Sequence, residues 1–104
     1  ELRSKAVMEY LAQKLDPYLQ QPVDAIVLGC THYPFLTGAI RTVVGPGPEI
    51  LDGSHGVALQ LQRRLRQMGT LREEDLPGHV AFQNSLDEPE ILARSRMLLA
   101  YKDI

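Results

Sequence analysis

The sequence predicts an α/β fold with a mostly parallel sheet. Helical stripes and short apolar runs alternate strictly along the chain, the pattern of strand–crossover–strand units. The clearest run, residues 23–29 (Val-Asp-Ala-Ile-Val-Leu-Gly), is near-continuous rather than alternating. Strands of a parallel sheet read this way because both of their faces are covered. Three strand candidates make a small sheet for this class, so part of the sheet is expected on polypeptide outside these residues.

Taken in order, residues 2–20 place Val7, Leu11, Leu15 and Tyr18 on one helical stripe, with Met8 and Leu19 alongside. Asp16-Pro17 weakens the last turn, and Pro22 forbids further helix. The strand at 23–29 follows. Pro34 suits the first turn of a second helix over 35–44, because its missing N–H has no partner there in any case. "GPGP" at 45–48 ends that helix. Glu49-Ile50-Leu51-Asp52 is a short strand, and Gly53-Ser54 opens a helix over 55–68. Residues 69–78, "GTLREEDLPG", are polar and irregular and read as a linker. "HVAFQNS" at 79–85 reads as a third strand, and 88–101 as a last helix.

Composition limits the function classes. The chain has 104 residues, enough for one small domain with a modest core. Its net charge of −2 argues against nucleic acid or a membrane surface as partner. No apolar run approaches the roughly 20 residues that a membrane helix needs. A single cysteine forms no internal disulfide, which with the absence of a signal peptide points to the reducing cytoplasm. Glu1-Leu2-Arg3-Ser4 enters a helical pattern directly, so the residues read as a piece of a longer protein.

The single cysteine, Cys30, closes the first apolar run, in "AIVLGCTHYP". In open α/β sheets ligands bind at the carboxyl ends of strands, near the next helix N-terminus. Such a position favours a thiolate over a thiol. Gly29 lets a ligand approach the backbone, Thr31 offers a hydroxyl and an amide, and His32 exchanges protons near neutral pH. Together they form a pocket able to hold a carboxylate and move a proton. Cysteine is also among the residues most often buried, so a purely structural Cys30 stays open. A metal site is not expected, because Cys30 and His32 give two ligands at best. Cys–His acyl transfer remains an alternative, although no third group is evident. Asp52-Gly53-Ser54-His55-Gly56 precedes a helix and reads as a turn with a cap more than as an anion site. His79 reads as a surface residue and Tyr33 as packing.

"VLGCTHYPFL" at 27–36, followed by "ILDGSHGVA" at 50–58, resembles glutamate racemases in their C-terminal half. The resemblance runs with falling strength through most of the chain, and "HVAFQNSLDEPEILARSRMLL" is loosely similar to the family's final strand and helix. It implies interconversion of L- and D-glutamate without cofactor or metal, D-glutamate feeding peptidoglycan. It implies two thiols on opposite faces of the substrate α-carbon. By position, Cys30 would be one of them, His32 would assist proton transfer there, and Thr31 would hold the substrate. It further implies two α/β lobes with the site between them. Residues 1–68 would end the second lobe, 69–78 would link, and 79–104 would return to the first lobe. A homo-oligomer is expected, with glutamate as the small-molecule partner and neither nucleic acid nor membrane. The family's second cysteine and several substrate contacts lie in an N-terminal half not represented here. "DGSHG" departs from the usual Asp-Ser-Gly order and receives no role.

Overall fold

The computed structural model describes residues 2–86 and 88–102, and they form an α/β arrangement that falls into two compact units. The first runs to Gly53, with Lys102 grouped to it; the second is Ser54–Tyr101.

In the first unit, α1 (Lys5–Gln20) starts where Ser4 caps it: its Oγ accepts from the Val7 amide at 3.4 Å. Pro17 lies inside the helix, yet helix continues to Gln20, and the Gln21 amide donates to Pro17 O at 3.0 Å to close the end. The expected stripe is realised at Val7, Leu11 and Leu15, which face the core, whereas Tyr18 is exposed. Strand β1 (Ala25–Leu28) pairs in parallel with β2 (Glu49–Asp52), Ile26 opposite Ile50 and Leu28 opposite Asp52. Between them come a four-residue 3-10 turn (Tyr33–Leu36) and α2 (Thr37–Val44). The second helix is thus split: Pro34 opens the tight turn, and the α-helix proper begins only at Thr37.

The core lies on one side of this two-stranded sheet. Leu11 of α1, Leu28 of β1, and Ala39 and Ile40 of α2 are its buried side chains, with Ile26 and Ile50 packed against them. Expected burial of both strand faces is not realised among the described residues. Val27, on the opposite face, is 73% exposed and stands beside Leu51, itself 41% exposed. The sequence carries apolar residues for two covered faces, and this unit covers one.

Two features hold the connection from α2 to β2. Gly45 takes φ 73° and its amide caps α2 by donating to Arg41 O at 2.9 Å. Arg41 in turn donates through Nη1 to the carbonyls of Gly45 at 2.8 Å and Pro48 at 2.6 Å. One guanidinium thereby fixes both ends of the "GPGP" segment.

The second unit holds α3 (Ser54–Gln67) and α4 (Pro89–Leu99). Gly69, at φ 68°, turns the chain after α3, and the Thr70 amide donates to Leu65 O at 2.9 Å. Neither helix has a buried residue; Val57 and Leu61 on α3 are exposed. The strand expected over 79–85 is not formed. A strand exists through its pairing, and this unit has no other strand to offer among its described residues. Residues 79–84 run without regular structure, and the Arg96 guanidinium of α4 sits over the Phe82 ring, 5.7 Å from its centre.

Two stability outcomes follow from these contacts. Ile40 is 5% exposed, so Ile40→Ala should cost about 2–5 kcal/mol in urea unfolding. Gly45→Ala should cost about 1–2 kcal/mol through backbone strain alone, because an added Cβ meets no atom within 4 Å. Gly29→Ala is the control: it too meets nothing within 4 Å, lacks the positive φ, and should unfold at nearly the wild-type midpoint.

Candidate functional site

Leu28 is the last residue of β1 and its side chain is anchored in the core. Gly29 and Cys30 therefore leave the sheet at its carboxyl end, the position expected from the sequence. The backbone bends there, and His32 adopts φ −99° and ψ −25° before the 3-10 turn. The Phe35 amide donates to His32 O at 3.2 Å, and the Thr37 hydroxyl donates to Pro34 O at 2.7 Å. These local bonds join the site loop to α2.

The bend brings Cys30, Thr31 and His32 together. The His32 amide donates to Cys30 Sγ at 3.5 Å. The Thr31 hydroxyl lies 3.2 Å from His32 Nδ1. Cys30 is half-buried, while Thr31 and His32 are exposed. The donor at the sulfur is thus a loop amide two residues on, rather than the end of an α-helix, since α2 starts at Thr37. The Cys30 sulfur thus accepts a main-chain hydrogen bond within its own loop. The arrangement offers a nucleophilic or basic sulfur, a titratable ring and a hydroxyl on one exposed loop.

The other candidates lie outside this loop. Asp52 and Gly53 end the first unit, while Ser54, His55 and Gly56 belong to the first turn of α3 in the second. His79 is exposed in the irregular segment. Among the described residues, no three His, Cys, Asp or Glu side chains come close enough to hold a metal ion. No helix of the described residues is long and apolar enough to cross a membrane.

Tyr33 was expected to pack, but it is 52% exposed and lines an apolar groove of about 550 Å³ beside β1. The groove's other wall is α1, through Ala6, Tyr10 and Lys14, and Lys14 Nζ sits 5.7 Å from the Tyr10 ring centre. The signal for this wall was present in the sequence as a second i, i+4 stripe, 6-10-14, adjacent to the core stripe 7-11-15.

Comparison with known proteins places this geometry in context. No protein-family model matches the chain. It is 38% identical over 102 residues to a glutamate racemase of Clostridium perfringens (strain ATCC 13124), covering 98% of this chain and 39% of that protein. It is 36% identical over 96 residues to a glutamate racemase of Clostridium botulinum (strain Langeland), covering 92% of this chain and 37% of that one. Among solved structures, the glutamate racemase isoform RacE1 from Bacillus anthracis superposes with a TM-score of 0.56 at 31% identity, over 65% of this chain and 26% of that one. The chain is therefore similar to glutamate racemases over almost all of its residues and spans about 39% of the length of the curated proteins it matches.

Proposed function

We propose that this chain supplies one of the two proton-transferring thiols of a cofactor-independent glutamate racemase, as the C-terminal part of that fold. The reading is carried by similarity to glutamate racemases across a chain whose single cysteine stands at the carboxyl end of β1, with an amide donor on its sulfur. In this mechanism the Cys30 thiolate removes the α-proton of one enantiomer: the C–H bond breaks, S–H forms, and the electron pair stays on the α-carbon. A second thiol on the opposite face then delivers its proton to that carbon. For the other enantiomer the roles exchange. The α-proton is a very weak acid, so the base must be held close and the developing negative charge met by fixed donors. Thr31 is assigned to hold the substrate and His32 to assist proton exchange at Cys30.

Cys30 is the only cysteine of these residues, so the second thiol comes from polypeptide outside them. In the two-lobe arrangement residues 1–68 end the second lobe, 69–78 form the linker, and 79–104 return to the first. The open sheet face at Val27 and Leu51 supports this reading, since it leaves apolar surface for further polypeptide to cover. The setting proposed is cytoplasmic, with D-glutamate supplied to peptidoglycan by a homo-oligomeric enzyme.

The deciding experiment measures deuterium entry at the α-carbon of L-glutamate in deuterated buffer. The chain alone should give none. Refolded with an N-terminal racemase segment, it should give exchange that Cys30→Ala abolishes. Exchange retained in Cys30→Ala would remove the thiol from the mechanism, and a covalent acyl adduct on Cys30 would favour acyl transfer instead. By itself the chain should also associate through its open apolar surface, and Val27→Glu should shift sedimentation toward monomer. A monomeric wild-type chain at high concentration would contradict that.

A further inference from the structure

Thr31 and His32 carry separate duties in the reading above, substrate contact and proton exchange, yet their side chains are bonded to each other at 3.2 Å. Neighbours along an extended strand point to opposite sides. His32 has left the strand conformation, with φ −99° and ψ −25°, and this is what lets the hydroxyl reach the ring. The His32 main-chain amide is meanwhile committed to Cys30 Sγ. One bend thus fixes the residue at its backbone and at one ring nitrogen.

The nitrogen so engaged is Nδ1, so Nε2 is the ring nitrogen outside this bond. An imidazole works best as a proton carrier when a fixed partner holds one nitrogen and the other exchanges. A hydroxyl has one hydrogen to donate and lone pairs to accept with. With the hydrogen on Nδ1 and the Thr31 oxygen accepting, the bond persists in both the neutral and the protonated ring. Only Nε2 then gains and loses a proton, and the hydroxyl hydrogen remains for an oxygen of a bound carboxylate. The reverse arrangement, hydroxyl donating to Nδ1, would consume that hydrogen and would reorganise whenever Nδ1 was protonated. We propose that Thr31 is a positioning residue that holds neutral His32 in the Nδ1–H tautomer, leaving Nε2 as the proton-exchanging atom. Both the choice of tautomer and its bearing on turnover rest on the racemase reading.

The test is nitrogen-15 NMR of the full chain labelled at histidine, above the titration of the ring, with His32 assigned by its loss in His32→Gln. Free imidazole favours Nε2–H, so the expected result is an inverted ratio for His32, with Nδ1–H in the majority. Thr31→Val, which removes the hydroxyl at nearly constant shape, should return the ratio to the free-imidazole preference. Thr31→Ser should keep it inverted. A wild-type spectrum dominated by Nε2–H overturns the proposal, and so does a Thr31→Val ratio equal to wild type. Neither outcome touches the deuterium-exchange test, so failure here and failure of the racemase reading are read separately.

Discussion

The burial of Leu28 is the contact on which the first unit turns. It ends β1, lies among Leu11, Ala39 and Ile40, and is thereby held by both helices of its unit. A strand of four residues has few ladder bonds to keep it in place. Its apolar anchor and its pairing with β2 therefore fix where the strand stops. Because Cys30 comes two residues later, the same anchor determines where the thiol emerges. The tight turn at Tyr33–Leu36 and the Thr37 bond to Pro34 then return the chain to α2, which supplies the rest of the anchor. Core and site loop are one construction.

That construction covers only one face of the sheet. Val27 and Leu51 stand together on the other, and Tyr10, Tyr33 and the edge of β1 border an apolar groove. Exposed apolar surface next to an unpaired strand edge is costly in water and prone to further pairing. The second unit shows the same economy, its two helices lacking any buried residue. The glutamate racemases this chain resembles are more than twice its length.

The chemistry of the loop depends on backbone geometry as much as on residue type. Cysteine, threonine and histidine in succession would point to alternating sides of a strand. The bend at His32 instead gathers an amide on the sulfur and a hydroxyl on the ring. These contacts are local in sequence and need no other part of the fold except a firm strand end and a helix to return to.

Much of this was legible beforehand. The stripe 7-11-15, the short strand Glu49–Asp52, the breaking segment 45–48 and the position of Cys30 after an apolar run follow from periodicity and turn chemistry, which act over a few residues. The motif around Cys30 carried the family resemblance. Tertiary structure decided what depends on distant partners. Val27 lies open although its neighbours suggested burial, because burial requires a covering layer. Residues 79–85 have strand-like composition, but no other strand lies in their own unit among its described residues. The sequence by itself determined most of the order of elements and the reactive residue types; only the fold decided which faces are covered, because that is set by contacts between residues far apart in the chain, and which polar atoms meet, because the backbone bend at His32 brings them together.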